Sequence, residues 1–241
     1  MDETRVSVAM ATYNGEKYIE TQIDSILDNL KENDELIVSD DGSTDRTIEL
    51  IKLYQKKDDR VKLINGPHKG IKKNFENAIT NCKGQYIFLS DQDDIWYSNK
   101  VETVLKKFKE NSNITLVVHD AEIFDSDTGQ ILYESFFKYR NSGAGVLKNI
   151  YRNTYIGCCM AFKNKIKEKI IPIPNNIEMH DQWIGIINDL KFVKAYFLNE
   201  KLIKYRRHNS NVSQMKHYTM KRMIKNRIIL IYEIIKRNRR R

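Results

Sequence analysis

Val6-Ser7-Val8-Ala9-Met10-Ala11 runs straight into Thr12-Tyr13-Asn14-Gly15-Glu16, and from Glu16 to Leu30 apolar residues recur at Tyr18, Ile19, Ile23, Ile26, Leu27 and Leu30. The first run reads as a strand, and the spacing after it is helical. The same unit repeats along the chain. Glu35–Ser39, Val61–Ile64, Tyr86–Leu89 and Ile114–Val118 are further strand-like runs, separated by helical patterns over Thr44–Tyr54, Gly70–Asn81 and Asn99–Lys109. This alternation predicts an α/β fold with a mostly parallel central sheet and helices on both faces. Ligands of such sheets bind beyond the C-terminal ends of the strands. The residues immediately after each strand therefore carry the functional reading.

Three polar clusters occupy those places: Thr12–Glu16, then Asp40-Asp41-Gly42-Ser43-Thr44-Asp45, then Asp91-Gln92-Asp93-Asp94-Ile95-Trp96. No G-x-G-x-x-G follows the first strand and no G-x-x-x-x-G-K-[ST] occurs, which disfavours the usual dinucleotide and P-loop readings. Asp40 suits either a contact to ribose or base, or an Asx turn that caps the next helix. The acidic cluster is the strongest chemical signal. Like charges this close repel unless a cation compensates, and hard oxygen ligands suit Mg2+ or Mn2+ bridging to phosphates. A calcium loop fails, because Ile95 and Trp96 stand at its fifth and sixth places, although Glu102 falls at the twelfth. Two alternatives stay open. One is a phosphatase with Asp91 as nucleophile and Asp93 as acid/base; the other is an acidic loop without a ligand.

Val-Ser-Val-Ala-Met-Ala-Thr-Tyr-Asn-Gly from Val6, Ser-Asp-Asp-Gly-Ser-Thr-Asp from Ser39 and Leu-Ser-Asp-Gln-Asp-Asp-Ile-Trp from Leu89 together resemble the family 2 glycosyltransferases. The resemblance is greatest to rhamnosyltransferase-like members of polysaccharide biosynthesis, and it spans about residues 5–215. It implies a GT-A fold and an inverting transfer from a nucleotide-activated sugar, dTDP-rhamnose or a UDP-sugar. The acceptor would be a glycan or lipid-linked hydroxyl. Nucleotide-sugar contacts would fall to Thr12, Tyr13, Asn14, Glu16, Asp40, Lys72 (or Lys73), Asp91 and Gln92. Asp93 would be the direct metal ligand of a D-x-D pair with Asp91, joined by His208 from Tyr205-Arg206-Arg207-His208-Asn209. Arg206 or Arg207 would approach the phosphates. Met179-His180-Asp181-Gln182-Trp183 resembles the family's His-Asp-x-Trp segment, which makes Asp181 the general base and places His180 and Trp183 at the acceptor. From the residues alone, Asp181 reads equally as a cap on a short helix over Asp181–Leu190, and Trp183 as core.

The whole chain of 241 residues has 41% hydrophobic residues, enough for a sizeable core, and a net charge of +9. That charge is segregated. Residues 201–241 hold 14 Lys/Arg against the one acid Glu233, whereas residues 1–200 are net −4. The division suggests a glycosyltransferase domain over 1–215, with a nucleotide-sugar half at 1–119 and an acceptor half at 120–215, followed by a basic tail over 216–241. Within the tail, Met220, Met223, Ile224, Ile228, Ile231 and Ile235 recur at helical spacing among Lys221, Arg222, Lys225 and Lys236. A basic amphipathic helix of this kind suits an anionic membrane surface, or else packing on the domain or a second copy. Nucleic acid is disfavoured, because the acidic strand-end clusters would repel a phosphate backbone. Cys82, Cys158 and Cys159 are odd in number with two adjacent, which suits buried thiols in a reducing compartment. His68, His119, His180 and His217 carry no metal spacing of their own. No signal-peptide pattern or long apolar run is seen, so the expected location is cytoplasmic, peripheral on the membrane's inner face.

Overall fold

The computed structural model describes residues 5–209, 211 and 219–239. Strand β1 (Val6–Thr12) is buried along its whole length and pairs in parallel with β2 (Glu35–Asp40) on one side and β4 (Tyr86–Ser90) on the other. β3 (Val61–Asn65) extends this sheet beyond β2, also in parallel. A strand covered on both faces has no polar face to show, which is why β1 reads as a continuous apolar run. Ser7, polar within this run, donates to Glu35 Oε1 at 2.7 Å and accepts from the Gly84 N–H.

The connecting helices are α1 (Ile19–Leu27), α2 (Thr47–Lys57), α3 (Ile71–Asn81) and α4 (Lys100–Glu110). Each buries the stripe its spacing predicts, such as Phe75, Ala78 and Ile79 of α3 and Val101, Val104, Leu105 and Phe108 of α4. α3 also inserts a polar wedge. Asn74 Nδ2 donates to the carbonyls of Thr12 and Ser39, at 3.1 and 2.8 Å, where β1 and β2 end.

Beyond β4 the sheet departs from simple alternation. β6 (Leu116–Asp125) does not lie beside β4. The antiparallel β8 (Met160–Lys163) is inserted between them, β7 (Ile131–Tyr133) pairs with β6, and β9 (Tyr196–Arg207) and β5 (Ile95–Trp96) complete the order β3-β2-β1-β4-β8-β6-β9-β5. β8 follows two buried cysteines in a short apolar stretch whose period cannot separate helix from strand. β9 runs parallel to β6 and antiparallel to the short β5, in the register Ile95↔Lys204 and Trp96↔Ile203. This last pairing lays the end of β9 across the acidic loop after β4.

Two short helices, α5 (Phe136–Arg140) and α6 (Val146–Tyr151), and the turn α7 (Lys167–Ile170) lead to α8 (His180–Lys191). α8 is buried from His180 through Asn188, on every side of its first two turns. The final helix, α9 (Met220–Arg239), rests on the domain through Leu230, Glu233 and Ile234. Lys216 and the terminal Arg240 and Arg241 of the expected basic tail lie outside the described residues.

Candidate active site

The acidic loop is fastened from below by Ser90, whose Oγ accepts from Gln22 Nε2 at 2.7 Å and donates to the Asp91 carbonyl. From above, Arg206 clasps it. The Arg206 backbone N–H donates to Asp94 Oδ1 at 3.0 Å and its Nε to the Asp93 carbonyl at 2.7 Å. One step further along the same strand end, His208 Nε2 lies 2.7 Å from Asp93 Oδ2, and Asn211 Nδ2 donates to that oxygen at 3.2 Å. Asp93 and His208 are 115 residues apart in sequence and meet because β5 pairs with β9. The His208 ring in turn leans on Tyr18, with centroids 4.8 Å apart.

The loop holds more negative charge than its surroundings balance. Burial, and then the Asp93 charge, push the Asp94 carboxyl up to about 7. Asp91 is pushed well above the carboxylate range by burial and by Asp94 and Asp93. Asp94 Oδ2 is buried with no hydrogen-bond partner. A buried cation, Lys100, lies below; its Nζ donates to the Cys158 carbonyl at 2.9 Å and sits 3.6 Å from the Trp96 ring centroid. Burial lowers the Lys100 pKa to about 8, which leaves it mostly protonated at neutral pH, a single cation against three carboxylates. An acid excess, an unpartnered carboxylate oxygen and an imidazole nitrogen fit a divalent cation such as Mn2+ or Mg2+. Of the three expected ligands, Asp93 and His208 come together. Asp91 keeps different company, with its ligand atom, those of Asp94 and that of Cys158 all within 4.8 Å of one another. Burial raises the Cys158 thiol well above its ordinary pKa, so it stays protonated and is a poor ligand.

The residues expected at the nucleotide divide by exposure. Tyr13 stands open at the end of β1, 55% exposed, and presents a ring. Its backbone is bracketed by the Gln92 amide, which accepts from the Tyr13 N–H at 2.9 Å and donates to its carbonyl at 3.1 Å. Gly15 makes room for this bracket, since a Cβ there would lie 2.5 Å from Gln92 Oε1. Asn14 and Glu16 reach to the second loop instead. Asn14 Oδ1 accepts from the Thr44 N–H, and Glu16 Oε2 from the Arg46 N–H. Thr12 Oγ1 donates to Asp40 Oδ2 at 2.9 Å. Asp40 also accepts from Gly42 N, Ser43 N and Ser43 Oγ, so three of its bonds close the turn and the one from Thr12 ties it to β1. These residues tie three strand ends into one rim, which positions Tyr13 and the acidic loop. Lys72 faces elsewhere: its Nζ, half-buried, donates to the carbonyls of Asn175 and Ile177.

Asp181 lies at the start of α8, 6% exposed, with Oδ1 accepting from Asn153 Nδ2 at 3.1 Å and from the Gln182 N–H at 2.5 Å. Burial pushes its carboxyl up to about 6, and the bonds from Gln182, Asn153 and Gly157 hold it from rising further. A carboxylate ionised at neutral pH yet more basic than usual suits a general base. Its neighbours in the same segment do not reach an acceptor. Trp183 is fully buried, and its indole N–H donates to the Ile170 carbonyl at 2.8 Å. His180 is 2% exposed and stacks on Phe75 with centroids 4.0 Å apart. Both are core, because a helix enclosed on all sides buries whatever it carries. Lys100, Asn153 and Asn211 act at the site without any local signal in the sequence; only the tertiary pairing brings them there.

Residues 7–171 match the family described as glycosyl transferase family 2. The chain is 28% identical over 228 residues to the Escherichia coli UDP-Glc:alpha-D-GlcNAc-diphosphoundecaprenol beta-1,3-glucosyltransferase WfgD, covering 92% of this chain and 85% of that protein. Among solved structures, S. aureus TarS 1-349 in complex with UDP-GlcNAc superposes with a TM-score of 0.76 at 19% identity, covering 96% of this chain and 67% of that one. The Pyrobaculum calidifontis mannosyltransferase PcManGT, in complex with GDP-Man and Mn2+, gives 0.68 at 16% identity, covering 98% and 65%. The fold is that of the GT-A glycosyltransferases.

Proposed function

The chain belongs to glycosyl transferase family 2, and from that premise we propose that it is an inverting, metal-assisted hexosyltransferase of cell-surface polysaccharide biosynthesis. The donor would be a nucleoside diphosphate sugar with a pyrimidine base. A uridine nucleotide is favoured over the dTDP-rhamnose expected from sequence, because both WfgD and the TarS complex are named with UDP-sugars. The acceptor would be a glycan or lipid-linked hydroxyl, as WfgD's diphosphoundecaprenol substrate suggests. The observation that carries this reading is the meeting of Asp93, His208 and Asn211 over an acid loop with excess charge at the parallel strand ends. The phosphatase alternative finds no support, since it assigns no role to Tyr13 or Asp181.

Tyr13 gives the base a ring to stack on, and the rim formed by Thr12, Asn14, Glu16, Asp40 and Gln92 fixes that ring relative to Asp93. Asp93 and His208 would hold a Mn2+ or Mg2+ ion, with Asp91 in the adjoining acid cluster. Bound there, the ion would supply positive charge to the departing diphosphate. Asp181 takes the proton of the acceptor hydroxyl as that oxygen bonds to the anomeric carbon. The bond from that carbon to the phosphate oxygen breaks with its electron pair leaving on the nucleoside diphosphate. One displacement from the opposite face inverts the centre, and no protein acid is needed at the leaving group.

Thermal unfolding with UDP, dTDP, GDP, CDP and ADP, each with and without Mn2+ or Mg2+, tests the reading. Ligand at about a hundredfold its Kd stabilises by about 2.7 kcal/mol. A pyrimidine diphosphate should raise the midpoint only with metal, and Asp93→Asn or His208→Ala should remove the effect. No nucleotide shift in the wild-type protein would refute the donor assignment.

A further inference from the structure

Helix α9 has two apolar faces, and the domain uses one. Leu230 and Ile234 are buried against the domain, and Met223 is partly covered. The anchoring is specific: Glu233 accepts from Asn176, Asn226 donates to Glu178, Arg227 donates to the Tyr151 carbonyl, and Arg237 Nη1 donates to the Ile171 carbonyl. At 100° per residue, Met220, Ile224, Ile228, Ile231, Tyr232 and Ile235 fall together on a separate arc of the cylinder, turned away from that contact. All are solvent-exposed, from 41% at Ile231 to 68% at Met220. The stripe that defines the amphipathic pattern is thus the stripe facing water. Neighbouring α6 adds two exposed apolar side chains: Tyr151, 73% exposed under the Arg227 guanidinium, and Leu147, one turn away on the same face of α6, 84% exposed.

We propose that this two-helix surface docks on an anionic phospholipid bilayer. Charge selects the occupant. Lys221, Arg222, Lys225 and Lys236 are exposed on or beside the apolar stripe. The one acid of the helix, Glu233, is turned inward, bonded to Asn176 and 4.0 Å from Lys236. Apolar side chains with a basic flank and no outward acid complement lipid tails and anionic headgroups. A second copy is a poorer partner, because two-fold pairing sets the same flank against itself and would oppose Lys225 and Lys236 to like charges. No helix among the described residues is long and apolar enough to cross a membrane, so the contact is interfacial.

The surface is also wired to the proposed base. On its inner side, α6 offers the Asn149 carbonyl to Gln182 Nε2 at 2.7 Å, and just beyond α6 Asn153 donates to Asp181. The lipid-facing helix and the helix carrying Asp181 are therefore joined by direct hydrogen bonds. A lipid-linked acceptor held at this surface would be connected to the base through α6, a deepening that rests on the acceptor class proposed above.

Co-sedimentation of the full chain with phosphatidylcholine vesicles, with and without phosphatidylglycerol, is the test. Binding should require the anionic lipid and weaken with salt. Ile228→Glu with Ile231→Glu, Leu147→Glu, and Lys221→Glu with Lys225→Glu alter exposed positions only. The two double variants should each lower vesicle affinity at least about tenfold. Wild type that fails to bind, or variants that bind as well as wild type, overturn the proposal. So does self-association abolished by the isoleucine variant without vesicle binding, which would assign the face to a second copy. The metal-dependent UDP shift should be unchanged in every variant. Its absence from wild type would sink the donor reading while leaving the vesicle result to stand by itself.

Discussion

Asp181→Asn separates the base's chemical value from its structural cost. The ordinary Asp value is 3.8, and burial raises Asp181 to about 6. Between those two values the folded protein binds more protons than the unfolded chain, so stability falls as pH rises through this window. Below 3.8 the penalty is absent, and above about 6 it is present in full. The difference of roughly two units corresponds to about 3 kcal/mol. Asn mimics the protonated acid and carries no such penalty. It keeps an oxygen for Asn153 and Gln182, but turns an amide nitrogen toward whichever donor the second oxygen served, at about 1 kcal/mol. Chemical denaturation of both proteins in metal-free buffer, from about pH 3.5 to about pH 8, reads the difference directly. Wild type should lose about 3 kcal/mol relative to the variant across that range and end about 2 kcal/mol less stable. Transfer activity at neutral pH should fall by about 10²–10⁴-fold in the variant. Parallel stability profiles would refute the buried-carboxylate argument. A variant with undiminished transfer would refute the role as base.

Three further outcomes follow from individual contacts. Asn153→Ala removes a bond that favours the ionised Asp181; the acid limb of kcat/KM should lie at higher pH in the variant than in wild type, and an unmoved limb would deny that Asn153 tunes the base. Gly15→Ala drives a methyl to within 2.5 Å of Gln92 Oε1 and should cost about 1–3 kcal/mol along with UDP affinity. Adding Gln92→Ala should restore part of that stability, and a purely additive double variant would show that the two do not collide. Trp183→Phe leaves a void and takes the indole donor from the Ile170 carbonyl, which keeps only a 3.5 Å bond from Arg237 Nη2; it should cost about 2–4 kcal/mol of unfolding free energy with acceptor KM unchanged at temperatures where the variant stays folded. A selective rise in KM would return Trp183 to the acceptor site.

How far the molecule could be read from its sequence depends on which forces are local. β1 to β4 and the helices between them were legible because each element buries a face that repeats along the chain, and because parallel strands need the crossover helices that separate them. The acidic loop was legible for the same reason, as it directly follows an apolar run. β8 and β9 were not. Their positions depend on partners far away in sequence, and nothing local says that β8 inserts between β4 and β6 or that β9 reaches back to Ile95. The likeness in sequence named Asp93 and His208; their 2.7 Å contact needed the β5–β9 register. Trp183 and His180 show the opposite limit. A segment can carry an expected catalytic residue and still bury the residues on either side of it, because α8 is enclosed on every face. In α9 the sign is reversed. Its six apolar positions counted from sequence form a single docking face, yet the fold divides them. Met223 turns toward the domain with Leu230 and Ile234, while Met220, Ile224, Ile228, Ile231 and Ile235 stay in water. A hydrophobic stripe records where apolar surface lies around a helix, but not which part of it the protein itself will cover. Burying the remaining side chains would repay about 25 cal/mol per Å², and this chain supplies no element among the described residues to cover them.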